Sequence, residues 1–335
     1  MKKENKTMLI IKTVSVDLLF WIYSIGCLYY LFFEYISFEI PFLIHLSVSA
    51  SLTLLFFFSG DSIGRKIFYP SVKTDRKVFH SFWGWLMILF FVLTFVVGWN
   101  LIEIKPIKFF TKFMNAKGIV RGILDPNFDM LIPMLTALAE TIYLALLATV
   151  FAVPFAFGLS FFAARNLMPK TFFGNTVYVV IRTIATFFRS IEAIVWAIIF
   201  SVWVGIGPFA GMLALMIHSI AALTKLYSEQ IENIDEGPVE AIKATGAGTL
   251  QTWIFAVIPQ IISPYLAFTI YRWDINVRMA TIVGFVGGGG IGLALMQQQQ
   301  LLRWHNVGLI IWLIAVVVWT MDMLSAKIRA KLMEI

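Results

Sequence analysis

The chain has 335 residues, 60% of them hydrophobic and 13% charged, with a net charge of +7 and a mean hydropathy of +0.86. Soluble domains carry about 25% charged residues, so the composition excludes a soluble enzyme and a disordered chain. On a membrane chain the positive excess reads as Lys and Arg collected in cytoplasmic loops, and no nucleic-acid partner is expected.

About 20 apolar residues cross a bilayer as a helix. Hydropathy predicts eight such spans, near 14–33, 41–59, 80–102, 132–162, 190–207, 209–227, 260–286 and 307–324. The expected class is therefore an all-α polytopic membrane protein. The first span contains Asp17 and has no small-residue cleavage site behind it, unlike a signal peptide. Cys27 is the single cysteine and lies in that span, which excludes an intrachain disulfide.

The basic residues set the orientation. Lys2, Lys3, Lys6 and Lys12 precede the first span, and Arg65, Lys66, Lys73, Arg76 and Lys77 follow the second. Arg165, Lys170, Arg182 and Arg189 follow the fourth, Lys225 and Lys243 the sixth, and Lys327, Arg329 and Lys331 close the chain. With eight spans these eighteen of the 26 basic residues share one side, which the positive-inside rule makes cytoplasmic, together with both termini. The segment 103–131, with Lys105, Lys108, Lys112, Lys117 and Arg121, is then external. Ile104, Ile107, Phe110, Phe113 and Met114 recur there at roughly helical spacing, predicting an interfacial amphipathic helix. Arg303 is external as well. The stretch 171–189 is apolar but broken by Arg182 and Arg189, which predicts a helix along the cytoplasmic face leading into the fifth span.

The loop after the sixth span, 235–260, reads as a helix-turn-helix. Pro238 suits the first turn of a helix, Asp235 and Glu236 favour its N-terminus, and Gly246 is placed to end it. A second helix begins near 249 and Pro259 opens the next span. A plain amphipathic connector is the alternative reading.

Glu240-Ala241, Gly246 and Pro259 resemble the EAA loop of ABC-importer permeases, a Glu-Ala-Ala, Gly, Ile-x-Leu-Pro signature. Ile242 takes the third position here, and Ala256 and Ile258 stand at the Ile and Leu positions. Tyr271 to Arg278, Thr281 to Gly292, Gly205 to Gly211, Ile217-His218 and Gly237 to Ala247 are similar to the phosphonate-type (PhnE-like) permeases. Asp125-Pro126-Asn127-Phe128 fits the usual lead into the permease core. The similarity covers about residues 121–330. One place after Glu192, where that subfamily is expected to carry an acid, this chain has Ala193.

The resemblance implies a type I ABC-importer (MetI-like) permease core over 132–335, with a cytoplasmic coupling loop near 228–259. Residues 1–102 would then hold two additional spans and one family-like span, and 103–131 the external segment. It implies a non-catalytic permease subunit for phosphonate or a related phosphorus oxyanion such as phosphite or a phosphate ester. Alternating access would be driven by separate ATP-binding cassette subunits, since the chain has no Walker A motif. Pro238, Glu240, Ala241, Gly246 and Pro259 would couple to them. An external substrate-binding protein, a second permease copy or paired permease, and membrane lipid are the other implied partners, in a bacterial inner membrane. No cofactor is implied beyond the ATP held by the partner.

Charges inside a bilayer cost several kcal/mol and usually face a partner or an aqueous path. The seventh span carries Arg272, Asp274, Asn276 and Arg278. Asp274 and Arg278 share a helix face and can pair, and Arg272 and Asn276 are expected on a neighbouring face. One acid against two arginines leaves a positive charge that suits a tetrahedral oxyanion; the alternative is a structural cluster that pins helices. Glu192 and His218 are further candidates for the translocation path, and Glu140 is a weaker one. Glu192 could equally pair with Arg189, His218 could be a helix-packing residue, and Glu140 could sit near the outer surface. Asp17 and Asp322, near span ends, are expected to reach water. Gly287, Gly289 and Gly292 match a dinucleotide fingerprint formally, but they follow a membrane helix rather than a strand. They are expected to permit a chain break. The four histidines are too scattered for a metal site. Competing functions are an intramembrane enzyme acting on phosphorylated lipid through Arg272, Asp274 and His218, and a channel or secondary transporter.

Overall fold

The computed structural model describes residues 6–33, 42–59, 63–68 and 82–333, and among these the regular structure is entirely helical. The chain divides into two compact units, Met1–Lys112 and Phe113–Ile335. The predicted basic positions Lys2, Lys3, Lys73, Arg76 and Lys77 lie outside the described residues.

The first unit contains α1 (Lys6–Phe33), α2 (Phe42–Ser59), α3 (Ile63–Phe68), α4 (Phe82–Leu101) and α5 (Pro106–Thr111). Aromatic contacts join its long helices: Phe20 stacks on Phe90 at 5.3 Å and Trp21 on Phe56 at 5.1 Å. Asp17 does not reach water. It is 2% exposed, and its carboxylate accepts from the Gly64 backbone N–H of α3 at 2.9 Å. Gly64 is required there, because a Cβ would lie 2.4 Å from the Thr13 carbonyl oxygen.

The second unit contains α6 (Lys117–Leu124), α7 (Leu131–Ala163), α8 (Phe172–Ser190), α9 (Ala193–Val204), α10 (Pro208–Glu232), α11 (Glu236–Ala244), α12 (Thr249–Thr252), α13 (Ile258–Gly284), α14 (Gly290–Gln300) and α15 (Trp304–Met333). A π-helical turn, Trp253–Val257, joins α12 to α13. The segment expected as one interfacial helix is instead three short pieces, α5, a 3-10 turn at Phe113–Ala116, and α6. Small residues pull α6 onto α15: a Cβ on Gly122 would lie 2.2 Å from the Trp304 carbonyl oxygen, and one on Gly308 would lie 2.0 Å from the Gly122 carbonyl oxygen.

Among the described residues, six stretches are long and apolar enough to cross a membrane: Met8–Leu31, Gly84–Leu101, Phe128–Ala163, Pro208–Glu232, Thr249–Gly284 and Trp304–Leu332. They match six of the eight predicted spans. The apolar stretch of α2, Phe42–Phe58, is shorter. The predicted fifth span departs most. The α9 helix has 12 residues, about 18 Å at the α-helical rise, well short of the roughly 30 Å hydrocarbon core. It meets α8 at 87°. The corner arises because Ile191 and Glu192 are extended, and Gly205 (φ +95°) ends α9 at its other end. Hydropathy cannot register such a turn, because both helices around it are apolar.

Small side chains build the core of this unit. Ala145, Ala148, Ala152 and Ala156 line one face of α7, each fully buried, and Ala210, Ala214 and Ala221 of α10 are buried with them. This is the packing expected where helices approach closely without a hydrophobic driving force between them. An equally tight approach lies between α13 and α14, where a Cβ on Gly292 would stand 2.0 Å from the Thr281 carbonyl oxygen. Gly158 of α7 has no atom within 4 Å of a built Cβ. Gly292→Val should therefore lower the stability of the detergent-purified chain by about 1–3 kcal/mol or more, whereas Gly158→Ala should be neutral or stabilising by about 0.5–1 kcal/mol. Thermal unfolding followed by tryptophan fluorescence checks both.

Candidate coupling face and membrane charge cluster

The α11 helix follows the cap chemistry of its sequence. Asp235 is the N-cap, and its side chain accepts from the Gly237 N–H at 3.0 Å. Pro238 sits in the first turn, where it leaves no donor unpaired. Gly246 follows the C-cap at φ +82°, a left-handed conformation that glycine adopts without strain. Val239 is buried against Ile231, Trp253 and Val257, while Glu240 and Ala241 face outward. Pro259 lies at the start of α13.

Gln260 fastens this helix to α13. Its side-chain oxygen accepts from the Asp235 N–H at 3.0 Å, and its amide donates to the Asp235 carbonyl at 3.3 Å and the Ala256 carbonyl at 2.8 Å. Beneath α11 lies a cleft of about 660 Å³ lined by Leu167, Lys170, Glu236, Glu240, Lys243 and Trp253. A second polar knot holds the neighbouring helix ends. Glu232 accepts from Arg182 at 2.6 Å and from the Arg165 N–H at 2.9 Å, and both guanidinium groups lie over the Tyr178 ring. Neither Gln260 nor Glu232 was singled out from the sequence. Gln260 directly follows Pro259, but its partner is a backbone group 25 residues earlier that only the folded chain brings near.

The charges of α13 do not lie on neighbouring faces. Two residues apart on a helix is about 200° of rotation, so Arg272 and Asp274 point to opposite sides. Arg272 is 6% exposed, and its Nε donates to the Ser219 hydroxyl of α10 at 3.0 Å. Asn276, fully buried, donates to the same hydroxyl at 2.8 Å and to Thr149 of α7 at 2.9 Å. Ser219 is thus shared by Arg272 and Asn276, and the node joins α7, α10 and α13. The Nη2 of Arg272 is buried and, among the described residues, has no hydrogen-bond partner.

On the opposite face, Arg278 pairs with Asp274 at 2.5 Å, as the four-residue spacing predicts, and also with Asp322 of α15 at 3.0 Å. Asp322 is half-exposed, as its place near a span end predicts, and is paired as well. Arg278 is thus held by two acids, on the opposite face of α13 from Arg272. Arg272 is the one aimed into the α7–α10–α13 core.

Around Arg272 stand two further candidates. His218 Nδ1–H donates to the Ile191 carbonyl at 3.1 Å and so holds the α8–α9 corner, the helix-packing role. Glu192 is exposed at the N-cap of α9 and, among the described residues, forms no ion pair with Arg189. It lies within electrostatic reach of both Arg272 and His218. Glu140 has a capping role: its carboxylate accepts from the Gly290 N–H at 3.2 Å, at the start of α14. The intramembrane-enzyme reading loses its constellation, because Asp274 faces away from Arg272 and His218. No group of three or more His, Cys, Asp and Glu suited to a metal occurs among the described residues.

The family described as binding-protein-dependent transport system inner membrane component matches residues 156–329. The phosphate-import permease protein PhnE of Mycolicibacterium smegmatis is 34% identical over 71% of this chain; the chain spans only 44% of that protein's length. The phosphite transport system permease protein PtxC of Stutzerimonas stutzeri is 35% identical over 62% of this chain and 74% of its own. Among solved structures, an inward-facing MetNI methionine ABC transporter chain aligns with a TM-score of 0.53 at 21% identity, over 62% of this chain and 99% of that one.

Arg278→Ala should leave the buried Asp274 carboxylate without its cation and destabilise the chain by about 1–3 kcal/mol or more. The double variant Asp274→Asn with Arg278→Gln should recover most of that loss. Detergent melting curves of the three chains read the difference.

Proposed function

The chain belongs to the family of binding-protein-dependent transport system inner membrane components, and on that premise we propose that it is the permease of an ATP-driven importer for a phosphorus oxyanion. The observation that carries this reading is α11, a capped helix whose buried Val239 and clamped Asp235 fix it rigidly while Glu240 and Ala241 stay outside. A plain amphipathic connector needs neither the clamp nor the cleft below. The names of PhnE and PtxC, for phosphate import and phosphite transport, support the substrate class.

In this reading α11 docks on a cytoplasmic ATPase subunit, with Pro238 and Gly246 setting its ends and Pro259 the start of the span behind it. Closure of two ATPases draws the helices together. Gln260 passes the displacement to α13, which carries it to Arg272 and onward to the break at Gly284. Arg272 offers the oxyanion a buried guanidinium with a free N–H, the donor geometry that matches phosphorus-bound oxygens. Asn276 and Ser219 hold that side chain in place, and His218 and Glu192 flank it.

A partner permease is also part of the proposal. The side chains of Arg278 and Asp322 are 43% and 49% exposed on membrane helices, where hydrocarbon solvates neither. A second copy, or a related permease, or water between two of them covers this face. In this reading the basic tail and the α11 loop face the cytoplasm, as the positive-inside rule favours for the tail, while an external binding protein delivers the substrate and lipid surrounds the rest.

Glu240→Ala alters an exposed side chain, so the chain should still fold while the ATPase subunit no longer co-purifies. Full retention of the ATPase would remove α11 as the coupling helix. Arg272→Gln should cut phosphite uptake by membrane vesicles about tenfold or more with the complex intact; unchanged uptake would take Arg272 out of the path.

A further inference from the structure

The external basic residues find no use in the coupling face or in the α13 cluster. Two of them, Arg121 of α6 and Arg303 before α15, line one cleft of about 510 Å³ together with Asn127, Asp129, Trp304 and His305. The cleft lies at the end of the second unit where α7 and α15 begin, so it is at the opposite end of those helices from α11. Its volume falls in the range of small-ligand pockets, about 300–1,000 Å³, and it is too small to seat a protein domain.

The floor of the cleft is rigidly built. Asn127 donates from its side chain to Asn306 at 3.0 Å and from its backbone to the His305 carbonyl at 3.1 Å; Asn306 in turn donates to Gln298 at 2.8 Å. Leu302 is held at φ +57° in the turn that presents Arg303. A non-glycine residue in that conformation costs about 1 kcal/mol or more and tends to persist at functional sites. On the other wall, Gly118 and Gly122 leave room for Trp304 and its backbone, and Arg121, between them in sequence, lines the same cleft. Among the described residues neither Arg121 nor Arg303 has an ion-pair or side-chain hydrogen-bond partner. Two arginines without such partners thus line a cleft whose floor is fixed by these hydrogen bonds.

Asp129 is the one acid in the lining, and it selects among anions. A phosphorus oxyanion near neutral pH carries both anionic oxygens and, in its monoanion, a P–O–H group. The anionic oxygens accept from Arg121 and Arg303 while the hydroxyl donates to the Asp129 carboxylate. Sulfate is fully deprotonated at that pH and meets the same carboxylate with repulsion only.

We propose that this cleft is a receiving site for the free phosphorus oxyanion, which Arg121 and Arg303 hold before it passes into the membrane. The substrate class rests on the reading given under Proposed function; the site itself rests on the cleft and its two free arginines. The test uses the full chain assembled with its ATPase in nanodiscs, titrated calorimetrically with phosphite, methylphosphonate and sulfate. Phosphite and methylphosphonate should bind, Arg121→Gln and Arg303→Gln should each weaken them about tenfold, and Asp129→Asn should narrow the preference over sulfate. Stimulation of the ATPase by saturating binding protein should survive in both arginine variants. Unchanged phosphite affinity in the double arginine variant would overturn the site. So would loss of that stimulation with anion affinity kept, which would make the cleft a docking point for the binding protein. Sulfate binding that needs both arginines, with no phosphorus oxyanion bound, would keep an anion site and overturn the substrate class.

Discussion

A helix broken inside a membrane exposes backbone N–H and C=O groups that hydrocarbon cannot satisfy, so protein must. The break between α13 and α14 meets this demand group by group. The Gly288 N–H returns to the Val283 carbonyl, the Gly290 N–H goes to Glu140, and the Ile291 N–H goes to the Thr141 hydroxyl. The Gly287 carbonyl accepts from the Gly207 N–H at 2.8 Å. With those four bonds made, the tip of the α9–α10 hairpin, the middle of α7 and the start of α14 have only one arrangement. The glycines are needed for two reasons. Gly287, Gly289 and Gly290 all have positive φ, and side chains there would run into Ile206, Pro208 and Thr141.

From that fixed point α13 runs the full distance to the coupling face. Its 27 residues extend about 40 Å, with the break at one end and Gln260 at the other. Between them the Ser219 node ties α13 to α7 and α10, and Tyr227 and Tyr265 stack at 3.8 Å lower down. The Tyr265 hydroxyl donates to the Tyr227 carbonyl at 2.9 Å. These ties brace α13 along its length, past Pro264 within its N-terminal turns. The two faces of α13 carry opposite chemistry: a single buried cation with a free N–H toward α10, and an acid-rich, half-exposed ion pair toward α15.

Much of this was legible in the amino-acid order. Caps are local, so Asp235, Pro238 and Gly246 located α11 to within a residue. The Asp274–Arg278 pair was readable because four residues is one helical turn. Arg272 and Asp274 lie on opposite rather than neighbouring faces, because two residues on a helix turn through about 200°. Asp17 lies near a span end yet is buried, because it caps a short helix from later in the chain, whereas Asp322 stays half-exposed and also meets an arginine 44 residues earlier.

By itself, the sequence determined the all-helical class, most of the long apolar helices and the capped loop helix α11, because hydropathy, capping and i to i+4 spacing act over a few residues. Its motifs also carried the family resemblance. The tertiary structure decided where α9 turns, which face of α13 each arginine occupies, and how Arg121 and Arg303 come to share a cleft. Each of these depends on contacts between residues far apart in the chain. In a span that is apolar on every side, the hydrophobic pattern holds no record of which neighbour each face will meet.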